Sequence, residues 1–153
     1  MKIGDYINNW IKNISKKQKD LNGYAVCPFA KTATFKIIQT KNNQVILPKE
    51  EYEVILFVLS DDIQVEDQIK LCKRLCLQHK EYVFLPDFKE RKTYIKSVET
   101  GNGKYNLILC QSKEKLNKAR DILKKTNYYD NWDKNYYNEI MSYGKLFIQN
   151  LTH

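Results

Sequence analysis

The chain of 153 residues predicts a single α+β domain arranged as a two-layer sandwich. Three observations carry that prediction. Segments with apolar residues at helical spacing and segments with strand-like alternation both occur, and they segregate along the chain instead of alternating strictly. One segment, "YEVILFVL" at 52–59, is apolar on both faces after Glu53, as a central strand requires. The composition is 42% hydrophobic with only 5 Gly and 3 Pro, so the chain can bury a core without disulfides or metal.

The elements follow in order. Residues 4–20 read as a helix, because Tyr6, Ile7, Trp10, Ile11 and Ile14 recur at steps of three and four. Lysines crowd its far end, where the helix dipole favours cations, and Asn22-Gly23 stops it. Residues 32–39 alternate, with Ala33, Phe35 and Ile37 on one face, and "VIL" at 45–47 is expected to pair back as a hairpin before Pro48. After the strand at 52–59, Ser60, Asp61 and Asp62 offer a cap for a helix over about 63–79. A strand at 81–88 should end at Pro86, and the two strands flanking the helix should run parallel. Residues 93–98 and 105–110 flank "ETGNGK" and read as a second hairpin. Ser112 caps a helix over 113–125 that turns Leu116, Ala119 and Leu123 inward. A last helix, about 131–148, carries the stripe Trp132, Tyr136, Ile140, Tyr143 and Phe147. This order suits a ferredoxin-like sheet, or a variant with an extra strand, flanked by N- and C-terminal helices.

The formal net charge of +8 invites a polyanion, but only Arg74, Arg91 and Arg120 of the 26 basic residues are arginine, and the lysines are dispersed. Nucleic acid is therefore the less favoured partner, and an unknown small molecule or protein is preferred. The stretch "NYYDNWDKNYY" interleaves aromatics with charge, but Asp130 and Asp133 argue against base stacking and the spacing suits packing. No apolar run suggests a signal peptide or a membrane span, so no membrane partner is expected and the setting reads as cytoplasmic. The sequon Asn150-Leu151-Thr152 would be irrelevant there.

The four cysteines do not form a secretory framework. Cys72 and Cys76 lie with His79 on one helix, a metal-compatible spacing, but they share the apolar stripe of Val65 and Ile69 and read as core, as does Cys110. No metal and no cofactor is predicted. Cys27 differs, because it precedes Pro28 in the irregular stretch "NGYAVCPFAKTA". A dithiol redox site would need a second cysteine where Ala30 stands. The remaining readings are a rigid bend or a positioned thiol. In the second, Cys27 acts with Lys31 lowering its pKa and Asp87 orienting substrate, while Phe29 and Phe88 wall the binding site.

The residues Cys27, Pro28, Phe29, Ala30 and Lys31, followed by "FLPDF" with Phe84, Pro86, Asp87 and Phe88 and by "YNLILCQSKEKLNKA", resemble the uncharacterised bacterial domain-of-unknown-function family 1415 over about residues 4–124. That family shows an Arg-Ser-Pro-like turn where this chain has "KERKTYIKSVETGNGK". The resemblance implies no reaction. It implies that the two proline-marked junctions meet at strand ends and border one pocket.

The sequence holds no phosphate loop, nucleophile elbow or His-Glu zinc motif. The favoured function is a binding or accessory domain with a pocket near the Cys-Pro-Phe-Ala junction. The alternatives are a small thiol-dependent enzyme using Cys27 and a weak, sequence-independent nucleic-acid binder.

Overall fold

The computed structural model describes residues 1–144, so Phe147 and the sequon at 150–152 lie outside the described residues. The elements run α1 (Ile3–Ile14), β1 (Phe35–Gln39), β2 (Val54–Val58), α2 (Val65–Gln78), β3 (Tyr82–Asp87), β4 (Tyr94–Ile95), β5 (Val98–Glu99), β6 (Leu107–Ser112), α3 (Lys113–Lys124) and α4 (Lys134–Ser142). Short 3-10 turns at Lys19–Leu21 and Tyr128–Asn131 complete them. The α+β class stands.

The main sheet has the order β1-β2-β6-β3 and is mixed. β2 and β3 each pair antiparallel with β6, which lies between them, so the strands flanking α2 run parallel as expected. β1 pairs parallel with β2, Phe35 opposite Val54 and Gln39 opposite Val58. Residues 45–47 form no strand and no hairpin with β1. The connection instead returns over one face, laying Val45, Leu47 and Tyr52 on the core. Asn42 and Asn43 take positive φ, and Asn43 clamps the end of β2 by accepting from the Ser60 N–H at 2.6 Å and donating to Ser60 Oγ at 2.9 Å. Asparagine tolerates that conformation better than other non-glycine residues.

All five residues of β2 are buried, and they alternate between two cores. Ile55 and Phe57 join Phe84, Ile108 and Cys110 under α2, with Cys72, Leu75 and Cys76. Val54, Leu56 and Val58 join Leu107 under α1, with Ile7, Trp10, Ile11 and Ile14. Helices thus cover both faces, one layer more than a sandwich with a single helical face, because a strand apolar on both sides must be shielded on both.

Other differences have local causes. α1 stops at Ile14 and the chain turns through Lys19–Leu21, with Asn22 and Gly23 at positive φ. α2 begins at Val65, and its N-cap is Gln64 with no side-chain cap, while Ser60 is engaged by Asn43 instead. β3 continues through Pro86 to Asp87. It is an edge strand, where proline's missing donor is tolerated. The hairpin of residues 93–110 is cut short. Only Tyr94–Ile95 pairs with Val98–Glu99, across Lys96 at positive φ. Residues 107–112 enter the main sheet instead, because "LILC" gains cover on both faces there. Ser112 caps α3 as expected, accepting from the Lys115 N–H at 3.3 Å. The last helix begins later than expected, with Asp133 as its N-cap, accepting from the Tyr136 N–H at 3.1 Å.

Candidate functional site

The stretch at Cys27 is a tight turn. The Ala30 N–H donates to the Cys27 carbonyl at 3.1 Å, and Pro28 fills the second position, where its fixed φ favours the turn and its missing N–H costs nothing. Two further bonds anchor the turn. The Cys27 N–H donates to the Ile14 carbonyl at the end of α1, at 2.9 Å, and the Tyr128 hydroxyl donates to the Val26 carbonyl. The bend is thereby held between the first helix and the aromatic segment that follows α3.

That placement leaves a hollow of about 200 Å³. Its floor is the α1-facing side of the sheet, with Leu85, Pro86 and Asp87 of β3 and Leu109 and Gln111 of β6. Its walls are Trp10 and Ile14 of α1, the turn Cys27-Pro28-Phe29, the face Leu116-Ala119-Arg120-Leu123 of α3, and the rings of Tyr128, Tyr129, Trp132 and Tyr136. Cys27 and Asp87, about sixty positions apart in sequence, border this common space. Trp132 and Tyr136 stack at 5.2 Å with an interplanar angle of 28°, and Tyr129 meets Trp132 edge-on at 5.2 Å.

Asp87 is the acid of the site. Only 9% of it is exposed. Its Oδ2 accepts from the Asn102 N–H at 2.9 Å and from Asn102 Nδ2. Burial raises its pKa from 3.8 to about 6; the two Asn102 bonds oppose the rise and the nearby Glu99 charge adds to it. Asn102 is itself locked: its Nδ2 also donates to the Tyr105 carbonyl at 2.8 Å, and its Oδ1 accepts from the Lys104 and Tyr105 N–H groups at 3.0 and 2.7 Å. The buried Gln68 of α2 fixes the strand end from the other face, donating to the Asp87 and Leu107 carbonyls at 3.0 and 2.9 Å. α1 holds the same loop through Tyr6 to the Asn102 carbonyl at 2.6 Å and the Trp10 indole to the Thr100 carbonyl at 3.2 Å.

The thiol behaves otherwise than an activated nucleophile. Burial raises the Cys27 pKa above its usual value, and the main-chain bonds from Phe29 and Ala30 only partly offset that. A thiol so placed is protonated at neutral pH. Lys31 stands beyond the turn with its side chain exposed and does not line the hollow. The cation that does is Arg120.

Phe29 lines the hollow and is 39% exposed, so it forms part of the rim. Phe88 does not border it. Its ring is buried, with the Arg91 guanidinium 5.1 Å from its centroid, and Arg91 in turn donates to Glu139 at 2.6 Å. Cys72, Cys76 and Cys110 are buried under α2, where Phe84 N donates to Cys76 Sγ at 3.4 Å. His79 packs on Phe84 on that same face, away from Cys27. Among the described residues, no group of three or more His, Cys, Asp or Glu could hold a metal ion, and no helix is long and apolar enough to cross a membrane.

A larger groove of about 770 Å³ runs past Glu50, Glu51, Glu53, Lys80 and Lys115. These are exposed charges of both signs. The smaller hollow is the chemically distinctive one.

Sequence reasoning missed Arg120, Asn102, Gln68 and the inward use of the aromatic stripe. The spacing of Leu116, Ala119 and Leu123 marks the α3 face on which Arg120 also falls, and Trp132, Tyr136 and Ile140 line the hollow as well as packing. Compared with family models, with curated proteins and with solved structures, the chain matches none.

Proposed function

We propose that this protein is a small-molecule-binding domain whose ligand occupies the hollow between the Cys27-Pro28-Phe29 turn and Asp87. The observation that carries this reading is the composition of the lining. Both tryptophans of the chain and three of its tyrosines converge there with one buried carboxyl and one guanidinium. Apolar walls with a few convergent polar groups are the usual make-up of a ligand site. The volume of about 200 Å³ suits a ligand of one ring or a short branched chain; a dry cavity of about 150 Å³ already takes benzene. Asp87 would fix the orientation of such a ligand.

Two alternatives lose support. A thiol-dependent reaction needs a thiolate, and the surroundings of Cys27 favour the thiol. Nucleic-acid binding through stacking needs exposed rings, whereas Tyr128 is buried and Tyr129, Trp132 and Tyr136 are partly covered around the hollow. The resemblance to the domain-of-unknown-function family 1415 fits a shared pocket at the same two junctions and adds no reaction to it.

Because Trp10 and Trp132 are the only tryptophans, intrinsic fluorescence reports occupancy directly. Titration with a panel of single-ring and branched short-chain compounds should give a saturable change for at least one of them. Ala119→Phe, which places a ring in the hollow from the half-buried face of α3, should weaken that binding by about tenfold or more while leaving the melting temperature near that of the parent. Equal affinity in the filled variant, or no saturable response to any compound, would sink the reading.

A further inference from the structure

We propose that the occupant is a small carboxylate, a single ring or short chain bearing one acid group, with the acid bound by the Arg120 guanidinium. The inference rests on the small-molecule reading and adds the ligand's charge to it.

Among the described residues, Arg120 is the sole cation lining the hollow and Asp87 the sole anion. The two are not engaged with each other. No ion pair and no side-chain hydrogen bond joins the Arg120 guanidinium to another described residue. Arg91 shows what a satisfied guanidinium looks like in this chain: it meets the Glu139 carboxylate at 2.6 Å. Arg120 is half-buried without such a partner, facing Tyr129 and Tyr137. Burial disfavours its charged form, and the tyrosines act in the opposite sense. Withdrawing a guanidinium from water with no counter-ion is costly, and an anion supplied by a ligand removes that cost.

A second donor adds to this. The Trp132 indole N–H is buried and makes no hydrogen bond of ordinary geometry, though it lies close enough to the Tyr128 hydroxyl to act on its titration. The floor holds Asp87, one of whose oxygens is already committed to Asn102, so an anion is repelled from the strand end and drawn toward α3. Among the described residues the hollow has one cation against one nearby carboxyl, which favours a monoanion over a phosphate dianion. Its volume leaves space for a ring and a small acid group and excludes a nucleotide.

The test is a pair of fluorescence titrations with phenylacetate and phenylacetamide, which share shape and differ in charge. The parent protein should bind the acid about tenfold or more tightly than the amide, the margin of a charge-assisted bond over a neutral one. Arg120→Gln should erase that preference while binding the amide within about threefold of the parent, and Arg120→Lys should keep part of it. The amide result doubles as evidence that the substituted site is intact. An amide bound as tightly as the acid by the parent, or an acid preference that survives Arg120→Gln, overturns the carboxylate inference and leaves the small-molecule reading standing. Binding of neither compound at millimolar concentration overturns the carboxylate inference, and the small-molecule reading falls with it only if the wider panel also gives no saturable response.

Discussion

Asn102→Ala is expected to lower the unfolding free energy by about 3–5 kcal/mol, the largest effect of any single polar substitution near the site. The side chain joins four hydrogen bonds: from Nδ2 to Asp87 Oδ2 and the Tyr105 carbonyl, and into Oδ1 from the Lys104 and Tyr105 N–H groups. Alanine removes all four. A neutral bond of this kind contributes about 1 kcal/mol, one to a charged group about 1.5–3, and a group left buried and unpaired costs more. The Asn102 N–H still serves Asp87, so the loss is not total. Urea denaturation at neutral pH measures the loss, and a drop below about 1 kcal/mol would show that the loop does not depend on this side chain. Asn102→Asp provides the complementary case. It keeps both acceptor bonds and sets a second carboxylate against Asp87, so its deficit should be largest at neutral pH and shrink on acidification.

Asp87→Asn carries the second large effect, and its signature is in the pH dependence. The Asp87 pKa is raised from 3.8 to about 6, so between those values the folded state holds a proton that the unfolded chain has released. The stabilising contribution of this group is therefore complete below about pH 4 and is lost as pH rises through about 6. The span corresponds to about 3 kcal/mol. Asparagine keeps an acceptor oxygen for Asn102 and never ionises. The variant should match the parent near pH 4 and exceed it by up to about 3 kcal/mol at pH 7. The difference between the two stability curves isolates this carboxyl from all other titrating groups. A flat difference from pH 4 to 7 would mean that the buried carboxyl is not displaced.

Much of the fold was legible because period and burial coincide. The two-sided apolarity of 54–58 demanded a central strand, and the stripe of Val65, Ile69, Cys72 and Cys76 demanded a helix. Pairing was less legible. Residues 45–47 and 105–110 follow turn-rich stretches and so resemble hairpin partners. Their fate was decided by where apolar cover lay, a tertiary matter that no local window contains. The site was half legible. Cys27 and Asp87 announced themselves through proline, which marks corners. Lys31 was misjudged because nearness in sequence across a turn does not imply nearness in space, and here the chain leaves the turn with that side chain exposed. Phe88 was misjudged because neighbours in an extended chain face opposite ways. Arg120 was marked only by sharing the α3 face of Leu116, Ala119 and Leu123 in an otherwise charged helix, and Asn102 sits in "GNG", where its role is indistinguishable from that of an ordinary turn residue.

The central claim is that the Cys27 turn and Asp87 border one hollow that a small molecule can enter, with the sulfur inside it as a resting thiol. Site-resolved iodoacetamide labelling of Cys27, in the parent and in Ala119→Phe, tests it most directly. The parent should label slowly at pH 7, accelerate only as the pH climbs past the ordinary thiol range, and label several-fold more slowly still when the new ring fills the space beside the sulfur. Rapid labelling well below pH 8, or a rate indifferent to the substitution, would contradict it.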